Sequence, residues 1–352
     1  MRLTTLLLLT LTGLSAAEPT PPAGMAYIPG GTYLRGEDRP LGGDAEYPEE
    51  APVHQVTVSS FFMDITEVTN ADFLKFTTET GYKTQAERGL SKEDFPEAPE
   101  DQLVAGAMVF SPPEDAVEKW QPGAEWQWWK FVKGANWRHP QGPGSDIHQK
   151  MEHPVVCITK EDAEAYCKWA GKRLPTEAEW ERAARGKLKH AIFSWGNHPK
   201  PDDKKWPANT FQGEFPYKNL ALDGFVGTAP VKSFEPNGFG LYDMGGNVWE
   251  ICSDLYRPDY YQIFSENPVK DPKGPTADQA ISQLENDTWN RSRKIPAGST
   301  PFHPLARLWV SKGGSFLCHH TYCLRYRPAA RHYAESLSPT NHAGFRCVKD
   351  VE

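Results

Sequence analysis

Apolar and polar positions alternate along this chain only in short runs, and the period changes often. Met25-Ala26-Tyr27-Ile28-Pro29-Gly30-Gly31-Thr32-Tyr33 reads as two short strands around a turn. Val53 to Val68 alternates with period two and is rich in β-branched and aromatic side chains, which predicts a strand. At Thr69-Asn70 a cap opens a helix predicted to run to about Thr80, with Phe73, Leu74 and Phe76 on its inner face and Gly81 beyond its end. Residues 84–125 carry little periodicity and much acid and proline, and read as loop. Trp126, Trp128, Trp129 and Trp137 follow; such a density builds a core or an aromatic wall along a peptide groove.

His153-Pro154-Val155-Val156-Cys157-Ile158 reads as a short buried strand, after which Thr159 caps a helix to about Ala170. Pro175 stops the chain and Thr176 opens a second helix through a capping box with Glu179, ending at Gly186. Glu177 and Glu179 both read as capping acids. From Phe193 to Asp254 the pattern is loop and short strand. Residues 255–308 are polar, irregular and proline-bearing, a surface excursion holding the sequons Asn286-Asp287-Thr288 and Asn290-Arg291-Ser292. A strand near Leu308–Val310 and a last strand at Gly344–Val348 close an α+β, loop-rich chain without internal repeats. Residues 18–350 read as a single domain.

Composition narrows the setting. One basic residue, Arg2, precedes an apolar run from Leu3 to Leu14 and then Ser15-Ala16-Ala17, the layout of a signal peptide spanning residues 1–17. The expectation is export to the periplasm or beyond, with the lumen of a secretory pathway as the alternative. No later stretch is apolar enough to span a membrane. Aromatics are 12% of 352 residues, enough for a packed core, and the formal charge of −8 disfavours nucleic acid as a partner. Six cysteines permit disulfides without making a disulfide-dense scaffold.

The candidate chemistry sits in Gly313-Gly314-Ser315-Phe316-Leu317-Cys318-His319-His320-Thr321-Tyr322-Cys323, with Arg325, Tyr326, Arg327 and Arg331 just after it. Two thiols at this spacing can close a disulfide, grip a soft metal, or do both at different stages.

Four segments carry a resemblance. They are Gly171-Lys172-Arg173-Leu174-Pro175-Thr176-Glu177-Ala178-Glu179-Trp180-Glu181, then Asn237-Gly238-Phe239-Gly240-Leu241-Tyr242-Asp243-Met244-Gly245-Gly246-Asn247-Val248-Trp249-Glu250, the Gly-Gly-Ser segment, and Gly344-Phe345-Arg346-Cys347. In this order they resemble the sulfatase-modifying factor family over about residues 24–350. Lys133-Gly134-Ala135-Asn136-Trp137-Arg138-His139-Pro140 is a further segment similar to formylglycine-generating members.

The resemblance implies a variant of the C-type lectin fold with little regular secondary structure. It also implies an oxidase that converts a cysteine, within Cys-x-Pro-x-Arg of unfolded sulfatases, to formylglycine using oxygen. Cys318 and Cys323 would be the catalytic pair and the thiolate ligands of Cu(I), a soft ion suited to sulfur. Ser315 and Tyr322 would flank the oxygen pocket, and Trp128, Trp249, His319 and Arg325 the substrate. Arg325 and Arg331 could equally be structural.

Two calcium sets carry over: Asn209 and Asp223 with the carbonyls of Thr210 and Phe225, and Asp243 and Glu250 with the carbonyls of Gly246 and Val248. Cys167 and Cys347 match a family disulfide, worth roughly 2–4 kcal/mol. A second family bridge is absent, because Ala184 and Pro328 stand at its positions. Cys157 and Cys252 are expected to be buried free thiols.

Two other classes compete. A non-catalytic lectin-like module would bind peptide or glycan and would not need the cysteine pair. An iron-dependent sulfoxide synthase shares the domain but needs a histidine-rich domain upstream, for which this chain has no clustered histidines.

Overall fold

Short strands and capped helices alternate in chain order. The first half holds β1 (Met25–Ile28), β2 (Gly31–Arg35), β3 (His54–Val58), β4 (Phe61–Asp64), α1 (Asn70–Thr80), α2 (Gln85–Arg88), β5 (Gly106–Phe110), β6 (Trp129–Lys133), α3 (Lys160–Trp169) and α4 (Glu177–Arg185). The second half holds β7 (Gly213–Glu214), β8 (Lys218–Asn219), β9 (Trp249–Leu255), β10 (Val269–Lys270), α5 (Ala277–Leu284), β11 (Leu308–Lys312), β12 (His332–Glu335), β13 (Ala343–Gly344) and β14 (Val348–Asp350). This computed structural model describes residues 18–39, 47–92, 99–100, 103–115, 127–200, 205–264, 268–284 and 308–351, with backbone alone at 281–284. The expected signal peptide, Trp126 and both sequons lie outside them. Among the described residues no helix is long and apolar enough to cross a membrane.

The strands form three small sheets ordered β1-β4-β14, β10-β3-β2 and β12-β11-β9-β13, with hairpins β5-β6 and β7-β8 beside them. Ile28, Val56, Phe61, Met63, Val310 and Val348 of these sheets bury a shared core against Ala178, Trp180 and Ala184 of α4. A second core joins Phe73 and Phe76 of α1 to Tyr166 and Cys167 of α3, Trp137 and Phe345. Capping boxes start α1, α3 and α4 at Thr69, Thr159 and Thr176, satisfying amides that the first turn leaves without partners. The architecture is mixed α+β and loop-rich, as expected.

Six readings need correction. The last strand expected at Gly344–Val348 is two, because residues 345–347 leave the ladder and β13 and β14 join different sheets. The run from Val53 to Val68 is two strands, because the chain turns at Ser59-Ser60 and sends β3 and β4 into different sheets. Alternation reports which faces are buried, and it survives such a corner. The supposed loop at 84–125 contains α2, boxed by Thr84 and Glu87, and β5, whose partner β6 begins some way along the chain at Trp129. No strand forms at 153–158: Cys157 takes a left-handed φ of 58°, and the amides of Val155 and Cys157 go to Val68 and Thr340. The excursion expected at 255–308 begins inside the body, where Tyr260 and Tyr261 are buried and β10 pairs in parallel with β3; residues 285–307 lie outside the description.

Glu177 is the sixth. Glu179 does cap α4, accepting from Thr176 N at 2.8 Å, but Glu177 points into the interior and is fully buried. It pairs there with Arg35 at 2.6 Å and Arg331 at 2.5 Å, while Glu181 one turn later takes Arg185 at 2.6 Å and Lys312 at 3.3 Å. This buried charge network underlies the end of β11, and so the segment that follows it.

Candidate active site around Cys318 and Cys323

β11 ends at Lys312 and the chain turns through Gly313 and Gly314, both at positive φ (86° and 69°). A Cβ on Gly314 would stand 2.9 Å from the Tyr326 amide nitrogen, so only glycine lets the two backbones meet. Gly246 N donates to Gly313 O and Phe316 N to Asn247 O, both at 2.8 Å, tying the turn to the loop before β9. Cys318 N then closes on Ser315 O at 2.8 Å, and the His319 carbonyl accepts from Tyr322 N (3.0 Å) and Cys323 N (2.7 Å). These turns fold the two cysteines back on each other.

Their sulfurs lie 2.7 Å apart, and both residues are buried. The bond from Cys318 lowers Cys323 to about 7, against burial and with help from the Arg325 guanidinium. Burial, and then the bond to Cys323, push Cys318 well above the usual thiol range. One thiol donates and the other is poised to be the thiolate.

Aromatic rings line both sides. Tyr322 stacks on Phe215 at 4.2 Å, and the buried Trp128 meets both rings edge-on, at 6.1 Å and 5.7 Å. Trp249, Phe193 and Tyr326 pack with the cysteines on the other side. His319 holds Thr321 Oγ1 through Nδ1 at 2.8 Å, and burial, then neighbouring His320, lower it to about 4, so it is neutral. Arg325 donates to Glu49 at 2.7 Å and lies 4.7 Å over the Tyr47 ring, while the Tyr47 hydroxyl accepts Leu324 N at 3.0 Å. Ser315 is fully buried; its Oγ accepts Leu317 N at 3.2 Å and lies 3.2 Å from His342 Nδ1. The structure thus gathers Ser315, Cys318, His319, Tyr322, Cys323, Trp128, Trp249 and Arg325 around one locus.

Sequence reasoning missed Tyr47, Phe215 and His342. Tyr47 sits at the edge of an acidic run and Phe215 in a short turn, where nothing marks either. His342 had one available signal: an imidazole two residues before the Gly344-Phe345-Arg346-Cys347 segment.

The first calcium set lies next to this locus, since Phe211, one residue after Thr210, donates its amide to Cys318 O at 3.0 Å. Asp223 accepts amides of Thr210 (3.0 Å) and Phe225 (2.9 Å) and the Gln212 side-chain amide (2.7 Å), which also donates to the Thr210 carbonyl, while the buried Asn209 Oδ1 has no hydrogen-bond partner among the described residues. That orphaned buried oxygen is the one feature of the set that calls for a hard cation. The second set fits poorly. Both Glu250 oxygens are taken, by Arg346 at 2.7 and 2.8 Å and by Trp180 Nε1 at 2.7 Å. Asp243 and two carbonyls remain, fewer donors than calcium takes. Cys167 and Cys347 lie together as buried thiols with sulfurs 3.3 Å apart. Cys157 and Cys252 are also buried free thiols, raised by burial.

Comparison with known proteins identifies the family. The model of the sulfatase-modifying factor enzyme 1-like domain matches residues 12–351. The chain belongs to the family of formylglycine-generating enzymes. It is 44% identical over 329 residues to the formylglycine-generating enzyme of Mycobacterium tuberculosis, covering 92% of this chain and 96% of that one. It is 41% identical over 333 residues to that of Bos taurus, covering 95% and 76%. These relatives are oxidoreductases that convert cysteine to formylglycine. Among solved structures, PvdO from Pseudomonas aeruginosa superposes with a TM-score of 0.56 at 21% identity, covering 93% of this chain and 94% of that one, which supports the fold.

Proposed function

We propose that this formylglycine-generating enzyme oxidises a cysteine within Cys-x-Pro-x-Arg of an unfolded sulfatase to formylglycine, with Cys318 and Cys323 as its metal-holding and reacting pair. The observation that carries this reading is the buried sulfur pair at 2.7 Å, with one thiol brought to about 7 by the other. Two soft donors in one apolar pocket fit Cu(I) by kind. Bound there, copper would supply the activation of oxygen.

The chain's own residues do the rest. Tyr322, Phe215 and Trp128 form an apolar wall against which an extended peptide segment can lie. Trp249, Phe193 and Tyr326 keep water from the sulfurs on the other side. Arg325, fixed by Glu49 and Tyr47, holds positive charge and a hydrogen-bond donor beside the Cys323 thiolate and stays protonated. The substrate Cβ–H and S–H hydrogens leave, the thioaldehyde formed takes up water, and hydrogen sulfide departs. Oxygen is reduced to water, with an external reductant supplying the remaining electrons.

Calcium at Asn209 and Asp223 completes the proposal, as does a Cys167–Cys347 bridge in an exported chain. The test loads reduced protein with Cu(I), adds oxygen and a peptide containing Cys-Thr-Pro-Ser-Arg, and reads the product by mass spectrometry. Copper-dependent aldehyde formation, lost in Cys318→Ser and Cys323→Ser, supports the reading. Copper binding without conversion points to another substrate. No copper binding leaves a peptide- or glycan-binding module whose pair is an ordinary disulfide.

A further inference from the structure

His342 lies in the loop before β13, and its side chain reaches Ser315 across 27 positions of sequence, Nδ1 to Oγ at 3.2 Å. The arrangement is tightly built. The His342 carbonyl accepts Trp249 N at 2.9 Å, the Trp129 ring meets the imidazole edge-on at 4.7 Å, and Ala343 next door packs with the cysteine pair. Ser315 Oγ already accepts the Leu317 amide, so one of its lone pairs is filled. What remains is one hydroxyl proton and one lone pair.

Which of these is left over depends on the imidazole. If Nδ1 carries a proton, it fills the second lone pair and the serine proton is left free. If Nδ1 is bare, the serine proton is bound to it and only the lone pair is free. Burial holds His342 down at about 3, so the ring is neutral throughout the working range. The Nε2–H form is the more stable tautomer of a neutral histidine side chain, and it leaves Nδ1 bare.

We propose that His342 is a positioning residue that accepts the Ser315 hydroxyl proton through Nδ1, so that Ser315 meets the substrate only as a hydrogen-bond acceptor. The partner it suits is a donor on the incoming peptide, its thiol S–H or a backbone N–H. A serine fixed in this way orients the substrate cysteine without competing as a donor for the thiolates. This inference rests on the reading that Cys318 and Cys323 are the reacting centre.

The test has an arm free of activity. In reduced, metal-free protein labelled with nitrogen-15 at histidine, His342 should show a bare Nδ1 and a protonated Nε2 from about pH 5 to pH 9, and Ser315→Ala should shift the Nδ1 signal. A protonated Nδ1 overturns the proposal, whatever the enzyme's activity. The kinetic arm compares His342→Leu with His342→Asn, whose Oδ1 can take over the acceptor role.

His342→Leu should lower kcat on the order of tenfold with KM little changed, and His342→Asn should restore most of it. In a Ser315→Ala background the Leu substitution should have no further effect. Full activity of His342→Leu, or equal losses with and without Ser315, refutes the inference while leaving the enzyme reading intact. If the Leu variant fails to fold, the Asn variant and the tautomer measurement still decide. An inactive wild type would instead count against the enzyme reading, and the nitrogen-15 result would still judge the tautomer.

Discussion

Arg331 grips Glu177 through two nitrogens, Nε on one carboxylate oxygen at 2.5 Å and Nη2 on the other at 3.1 Å, and both side chains are fully buried. This links the segment beyond the cysteines to the first turn of α4. Burial alone would raise Glu177, but the cations Arg331, Arg35 and Lys312 outweigh it and hold the carboxyl well below its usual range. Glu177→Gln leaves buried cations under-compensated, for which about 3–5 kcal/mol is the usual cost. Glu179→Gln, at the partly exposed cap, should cost about 1 kcal/mol. Thermal unfolding of the two variants checks the order, and equal shifts would show that the buried network contributes no more than a cap.

The same network shapes the response to pH. Burial raises Glu181, but Lys312, Arg185 and Arg35 bring it down to about 2 from the ordinary 4.5. Its stabilisation is therefore complete above about 4.5 and is lost as pH falls through about 2. Asp254 runs the other way. Burial, and then the Glu177 charge, raise it to about 7 from 3.8. Between these values the folded state holds a proton that the unfolded state has released, so stability falls as pH rises through the window. Asp254→Asn should flatten the decline in Tm between about pH 4 and pH 7. Parallel curves for variant and wild type would mean that Asp254 is ionised throughout.

Asymmetry within the cysteine pair is open to direct measurement. In reduced, metal-free protein a small alkylating reagent should modify Cys323 before Cys318, with a rate that rises through about pH 7. Cys318→Ala removes the hydrogen bond that contributes most to lowering Cys323, so the midpoint should move up. Arg325→Leu should move it up by less. Labelling at Cys318 first, or a midpoint unchanged in Cys318→Ala, would contradict this assignment.

Capped helices and recurring motifs were the legible part of this chain. Thr69, Thr159 and Thr176 announce α1, α3 and α4 because a cap is a local event, satisfied within four residues. The cysteine segment was legible for a similar reason, since its glycines and thiols are contiguous. Illegible were contacts whose partners lie far away in sequence. β5 needs β6, the Glu177 carboxylate needs Arg35 and Arg331, and Ser315 needs His342. Nothing at Glu177 itself distinguishes a capping acid from a buried counter-ion; only the convergence of cations from β2 and from the segment after Cys323 does.

Asn247 shows how one side chain can serve several loops at once. Its φ of 55° is left-handed, a region asparagine tolerates better than most residues. Its Oδ1 accepts Ala229 N at 2.9 Å and Asn209 Nδ2 at 3.1 Å, its Nδ2 donates to Glu67 at 3.1 Å, and its carbonyl accepts Phe316 N two residues ahead of Cys318. Asn247→Ala should therefore lose the side-chain bonds and add backbone strain, while Asn247→Gly should lose only the bonds. Each buried donor left unpaired costs about 1–3 kcal/mol, and the left-handed backbone adds roughly 1–2 kcal/mol for a residue with a Cβ. Both variants should unfold well below the wild type, Ala lower than Gly. Because these side-chain bonds place the Asn247 carbonyl that anchors Phe316, both should also blur the selectivity of alkylation for Cys323 over Cys318. Retained selectivity in a destabilised Asn247→Gly would show that the cysteine turn holds its shape without the side-chain bonds of Asn247.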